Sequence, residues 1–399
     1  MNAIDQLRQF NQARNAIGLA LKYRKMRDSA FSFLRGSCHL FYARLAQGHS
    51  LPDAPLAWVC GDLHLENFGS YKADDRSVVF DINDFDEAAL APASWDLVRM
   101  LCSVELGAEA VGLPPQEGAH LGNAFLDAYA VALAQGKAFS VERDTASGLV
   151  RSLLDDVRAR ERSTLLDKFT DIDGKKRSLR LDGKRAFAAT DLQQQTVRDC
   201  LAHMTSHKLQ PDFYKVLDVA QRLAGTGSLG LERYLILVHG KGAPDGHYLL
   251  DLKRAAPSAL QPYLHAKQPE WASQAHRIVG LQRRLQAVSM AFLQAIVVGD
   301  AAYVLRGLQA SEDRIALKDA HQSAAERLAL LTTMGRVLAW AHLRSAGREG
   351  SATTDALRAF GQDTGWKTAL QAASTSLTAQ VRTDWMDFAA AYDQGILHE

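Results

Sequence analysis

Asp62, His64, Glu66, Asn67, Asp81, Asp84 and Asp86, each able to carry a proton or bind a cation, fall within positions 62–86 of a 399-residue chain. They fall in two motifs, GDLHLEN at 61–67 and DINDFD at 81–86, each beside a run of strand-forming residues. Asp62 stands five positions before Asn67, and Asp84 follows Asn67 by 17. Phosphoryl transfer asks for such a set. One carboxylate accepts or orients the proton of an attacking hydroxyl. An Asn and a second Asp hold Mg2+ against phosphate oxygens, because hard cations take oxygen ligands. A loop between strands can keep those groups in fixed positions.

The rest of the chain must supply that scaffold. At 47% hydrophobic and 23% charged the composition is that of a globular protein with room for two or three domains. A formal net charge of +1 gives no global field toward nucleic acid or an anionic membrane. Cys38, Cys60, Cys102 and Cys200 have no metal-ligand spacing and read as reduced thiols of a cytoplasmic protein. The N-terminus lacks the apolar run of a signal peptide, and the most apolar stretch, 291–305, is broken by Gln294 and Asp300, so no membrane span is expected. Helical spacing runs through 1–50 and resumes at Ser94. LAWVC and SVVFDI are strand-like, and 173–185, with two Asp-Gly steps, predicts a basic hairpin. From Asp218 the order is glycine-rich turn, strand, turn, strand. A helix follows over 271–293, then a strand from Ala301 and helices over 320–394 with a pause at 347–351.

GDLHLEN and DINDFD resemble the catalytic loop and metal-binding strand of the aminoglycoside-phosphotransferase branch of the protein-kinase-like superfamily. The resemblance implies Asp62 as the catalytic Asp, Asn67 and Asp84 as metal ligands, and Asp96 as a buried carboxylate steadying the loop from the next helix. Cys60 stands where that branch often has His. Beside these, Asp86 is a candidate second metal contact. His64 joins the catalytic set, although a His beside a catalytic Asp more often serves its loop as a hydrogen-bond partner. Asp81 is read as facing the other side of its strand and Glu66 as pointing to solvent. Arg35 is read as a buried ion-pair partner ahead of a phosphate clamp, and His342 as a packed helix residue. FSFLRGS, RIVGLQRRLQ, LAWAHLRS and FAAAYDQ make the whole chain resemble a bacterial family catalogued as domain of unknown function 2252, which is grouped with kinase-like folds.

In the kinase pattern a glycine-rich loop and a strand Lys precede the catalytic loop, whereas here they come after it. GTGSLG at 225–230 fits G-x-G-x-x-G, whose glycines let backbone N–H groups approach phosphate. Lys253 closes the strand HYLLDLK. Gly225, Gly227, Gly230 and Lys253 are therefore the nucleotide-binding candidates, against the plain readings of a hairpin turn and a solvent-facing Lys. The helix after Lys253 offers Glu270 only at its start, then Gln274, Gln282 and Gln286, so either Glu270 reaches back or the Lys is held differently. The expectation is an α+β, kinase-like, two-lobed fold, circularly permuted, with a helix-rich large lobe and a small antiparallel-sheet lobe. Its parts would be a catalytic part over 1–217, a nucleotide-gripping part over 218–318 and a helical part over 319–399 completing the large lobe.

The leading function is an ATP- and Mg2+-dependent phosphotransferase acting on a small hydroxyl compound, with no nucleic-acid or membrane partner. A nucleotide-binding pseudokinase or regulatory module uses the same fold without turnover, and nucleotidyl transfer to a protein uses the same site with ATP reversed. A metallophosphoesterase, suggested by GDLH, lacks the further G-D-x-x-D and G-N-H-E motifs it needs. The acceptor, the choice of ATP over GTP and the oligomeric state are not readable from the letters.

Overall fold

The computed structural model describes every residue except 1, 49, 175, 207–208, 311–312, 316, 318–322 and 398–399. Polar caps start the N-terminal helices. Asn2, Asn15 and Ser29 accept backbone N–H groups at the heads of α1 (Ala3–Asn11), α2 (Ala16–Arg27) and α3 (Ala30–Gly36), and α4 (Cys38–Gly48) follows. Then β1 (Leu56–Val59), β2 (Phe68–Lys72), β3 (Val78–Ile82) and β4 (Ala89–Pro92) form two antiparallel pairs, β1 with β4 and β2 with β3. The sequence reading assigns no element to 68–72 and so has no counterpart of β2; its glycine and lysine weaken the strand signal. Helices α5 (Ser94–Ala110) and α6 (Pro115–Gln135), the short β5 (Val141–Glu142), and helices α7 (Gly148–Ala159) and α8 (Arg162–Phe169) complete this region.

The hairpin expected over 173–185 lies earlier, as β6 (Thr170–Asp173) and β7 (Lys176–Leu179); Lys175 is outside the described residues. The second Asp-Gly step is a separate turn, in which Asp182 accepts the N–H groups of Lys184, Arg185 and Ala186. Then come β8 (Ala186–Ala188), α9 (Asp191–Thr205), β9 (Val216–Arg222), β10 (Arg233–Val238), β11 (Tyr248–Arg254), α10 (Gln274–Leu285), β12 (Gln294–Val298) and β13 (Ala301–Gly307). Six of these strands make one antiparallel sheet in the order β12–β13–β11–β10–β9–β8. The sheet thus takes an edge strand from before residue 218.

Strand alternation gives the sheet two apolar faces. Ile236, Leu250 and Leu305 pack with Val197 and Leu201 of α9, while Leu235 and Leu237 pack with Leu166 and Leu179. Every residue of β10 is buried, as suits a central strand. The helix expected to reach 293 stops at Leu285. Beyond it the Gln286 amide donates to the Ile82 carbonyl (2.7 Å) and the Ala287 N–H to Asp81 (2.8 Å), which draws the chain off the helix path and into β12. Helices α11 (Ala324–Arg344), α12 (Thr354–Gln362) and α13 (Trp366–Asp393) pack on α5 and α6 in the largest apolar cluster. The fold is α+β with antiparallel sheets. Among the described residues no helix is long and apolar enough to cross a membrane.

Candidate functional site

The loop after β1 is fixed from below by α5. Asp96, fully buried, accepts the N–H groups of Cys60 (2.9 Å) and Gly61 (3.0 Å). Ser103 accepts the N–H of Leu65 (2.9 Å), and the Tyr42 hydroxyl donates to the Gly61 carbonyl (2.5 Å). Gly61 has φ +83, and a Cβ there would lie 2.5 Å from the Glu87 carbonyl oxygen, so only glycine lets the two backbones pass. Arg99, one turn beyond Asp96, is fully buried; its Nε donates to Asp62 Oδ1 (2.9 Å) and its Nη2 joins the same oxygen. Burial pushes the Asp62 carboxyl above its ordinary range, Arg99 pulls it back in part, and Asp84 pushes it up again. A carboxylate raised in this way is the better proton acceptor.

The other loop residues divide by role. Asn67 donates its amide to the Asp62 carbonyl (2.7 Å), which leaves its own side-chain oxygen available. The His64 Nδ1 accepts the Glu66 N–H (3.1 Å), and burial, with Arg35 and Arg99 nearby, holds the ring well below its usual pKa and therefore neutral. His64 thus caps its own turn. Glu66 does not point to solvent: it pairs with Arg35 (2.8 Å), the ion-pair role read for that arginine. Asp81 turns away from the site toward the end of α10.

Asp84 is partly buried, and among the described residues no hydrogen bond or salt bridge engages its carboxylate. Burial alone would raise its pKa; Lys253, Arg306, Arg314 and Arg233 outweigh that and hold it below the usual range. The carboxylate is therefore ionised and not tied up by a side-chain partner, and its oxygens are of the type a hard cation takes. Asp86 is engaged differently. It pairs with Lys253, which reaches it from β11. The acidic partner sought on α10 is therefore supplied by the second motif, while Glu270 is exposed. What α10 contributes is Arg277, donating to the carbonyls of Asp86 (2.8 Å), Ala88 (2.7 Å) and Ala256 (3.0 Å).

The glycine segment is the turn between β9 and β10. Gly225 has φ +77. A Cβ on Gly227 would lie 3.3 Å from the Arg35 carbonyl and 3.9 Å from Asp62 Oδ2, so the turn lies directly over the catalytic-loop candidate. Gly230 serves differently: it does not line the cavity and meets Gly18, where a Cβ would come within 2.4 Å of the Gly230 Cα. Asn15 donates to the Gly230 carbonyl from its backbone (3.1 Å) and side chain (3.0 Å), Arg14 to that of Leu229 (2.5 Å), and the buried Lys22 to that of Gly227 (3.4 Å).

Asp62, His64, Asn67, Asp84 and Asp86 line one cavity of about 830 Å³ with Gly225 and Gly227, a volume suited to a small-molecule ligand. Lys253 does not line the cavity; it stands behind Asp86, with which it pairs. Glu87, pushed up to about 7 by burial first and the charges of Asp62 and Asp86 after it, lines the cavity too, as do Phe10, Arg14, Arg233, Arg306 and Arg314.

A family model described as an uncharacterized protein conserved in bacteria (DUF2252) matches residues 14–391. The chain belongs to the DUF2252 family. No curated protein and no solved structure matches it. The matched stretch contains every motif residue of this DUF2252 site, whereas α1, which adds Phe10 to the cavity wall, lies ahead of it. Sequence reasoning missed Arg233 and Arg306 as site residues, although Arg233 opens the strand after the glycine turn and Arg306 lies in the expected strand from Ala301. Phe10 and Arg14 carry no local signal; only the packing of α1 and α2 on the turn brings them in.

Proposed function

We propose that the cavity is an ATP- and Mg2+-dependent phosphotransfer site for a small hydroxyl-bearing acceptor, in a permuted kinase-like arrangement of catalytic elements first and nucleotide grip second. One observation carries the reading: two motifs about 140 residues apart in sequence, 61–86 and 225–228, face one cavity, with the glycine turn over Asp62. The order of glycine turn, strand, Lys-bearing strand, helix and strand pair from β9 to β13 supports it further.

In this reading the glycine turn offers backbone N–H groups to the phosphates, and Lys253 supplies a positive charge held in place by Asp86. Asn67 and Asp84 would hold Mg2+, which supplies charge neutralisation on the phosphate oxygens. Among the described residues no cluster of three or more His, Cys, Asp or Glu could hold a metal alone, so phosphate oxygens and water complete the shell. Asp62 takes the acceptor hydroxyl proton as the new O–P bond forms and the bond to the ADP leaving group breaks. Arg99 fixes the orientation of that carboxylate and keeps it from swinging into the loop. ATP as donor fits a cytoplasmic site of action, as do four free, buried cysteines. A nucleotide-binding module without turnover is the second reading, favoured by the occupation of Asp62 Oδ1 by Arg99 and by the pairing of Lys253 with Asp86 in place of a helix carboxylate.

The test is thermal stability with and without ATP and Mg2+. Binding at a hundredfold excess over the dissociation constant stabilises by roughly 2.7 kcal/mol. The midpoint should rise for wild type, stay flat for Asp84→Ala, and rise unchanged for Asp62→Asn. ADP release in the presence of pooled small hydroxyl compounds should be lost in Asp62→Asn. No shift in wild type sinks the nucleotide reading, and a shift without ADP release from any pool leaves the binding module.

A further inference from the structure

Asp251 lies in the middle of β11, is 1% exposed, and takes no part in the roles above. Three guanidinium groups converge on it. Arg233 binds it with two donors (2.7 and 2.6 Å), Arg222 pairs at 2.8 Å and Arg306 at 3.3 Å. Three positive charges on one carboxylate leave two unmatched. The same arginines reach both halves of the site. Arg233 donates to the Ala224 carbonyl (3.0 Å), just before the glycine turn, and Arg306 to the Asn83 carbonyl (3.2 Å), just before Asp84. A guanidinium carries five N–H donors. Arg233 commits three of the five and Arg306 two of the five, so two and three remain, on residues that line the cavity. Arg314 lines it as well, and among the described residues no carboxylate lies within salt-bridge distance of it.

Spare, directed N–H donors with surplus positive charge, held rigid by a buried carboxylate, suit the tetrahedral oxygens of a phosphate. We propose that Arg233, Arg306 and Arg314 seat a phosphate group between the glycine turn and Asp84, and that Asp251 is the positioning residue that aims the first two. The proposal deepens the phosphotransfer reading and rests on it only for the carrier of the phosphate, which is either the nucleotide or an already phosphorylated acceptor.

The experiment is calorimetric titration of pyrophosphate into the full chain without metal, so that a cation bridging Asp84 to the anion does not stand in for the arginines. Wild type should bind, and Arg306→Gln and Arg314→Gln should each bind about tenfold more weakly. Affinity unchanged in both variants overturns the seat. For Asp251, the pair Asp251→Asn with Arg222→Gln removes one charge of each sign and leaves the net charge as it was. The pair leaves Arg233 and Arg306 with the same excess of two charges but without their carboxylate, so it is titrated below its own melting midpoint, where it should bind pyrophosphate about tenfold more weakly. Wild-type affinity in that pair overturns the positioning role. Repeating the titration with a saturating non-hydrolysable ATP analogue and Mg2+ assigns the carrier. Competition puts the phosphate on the nucleotide, and simultaneous binding puts it on the acceptor; either supports the seat. Arginine-dependent pyrophosphate binding without any nucleotide binding keeps the seat and removes the phosphotransfer reading.

Discussion

The two halves of the cavity are held by different means. The loop 60–67 is fastened to the helical core by buried side chains, with Asp96 on two backbone N–H groups and Arg99 on Asp62. The glycine turn is held by its carbonyls, which accept hydrogen bonds from Arg14, Asn15 and Lys22 of the N-terminal helices and from Arg233. The first is a lock, costly to break because Asp96, Arg99 and the backbone of Cys60 and Gly61 are buried. The second is a latch of several modest bonds to backbone carbonyls. The contrast suits the proposed phosphotransfer reading, in which bond-making groups need fixed geometry and a grip over a ligand has to open and close.

The contrast can be broken with three variants. Asp96→Ala has the largest effect. It strips the buried N–H groups of Cys60 and Gly61 of their acceptor, and stability should fall by roughly 3–5 kcal/mol in urea unfolding. A loss under about 1 kcal/mol would show that the loop is not locked. Glu87→Gln comes next and probes the seam, where the Glu87 side chain accepts the Ala259 N–H and its carbonyl accepts the Ser258 hydroxyl. With its carboxyl raised from 4.5 to about 7, this group stabilises the native state fully below pH 4.5 and loses that contribution as pH rises through 7. The glutamine keeps the acceptor without the charge. It should be more stable than wild type by roughly 2 kcal/mol at pH 8, with the difference gone near pH 4.5; equal stability at both pH values would refute the raised pKa. Asn15→Ala is the smallest. It removes a helix cap and one latch bond, and should cost roughly 1 kcal/mol in stability while speeding nucleotide dissociation measured by stopped flow. An unchanged off-rate would mean that the latch does not govern the turn.

The lock was far more legible in the sequence than the latch. Asp62, Asn67, Asp84 and Asp96 stand at fixed spacings inside 35 residues, where a short loop, a strand and a helix leave little freedom. The glycine turn and the strand carrying Lys253 were readable as elements, because GTGSLG and HYLLDLK have local signatures. Their partners were not. Lys253 meets Asp86 from 167 positions away, and Gly230 meets Gly18 from 212 away, contacts decided by how the sheet settles on the helices. The end of α10 shows the same limit. The residues 286–293 keep a helical pattern, and what stops the helix is a pair of hydrogen bonds to β3 and Asp81.

The meeting of Gly18 and Gly230, with no side chain between them, couples the turn to its neighbours. Two backbones in van der Waals register move as one body, so the turn cannot lift from Asp62 without shifting α2 or parting from it. In the proposed phosphotransfer reading, a change at this helix end would alter how long a ligand stays beneath the turn while leaving the carboxylates of the loop where they are.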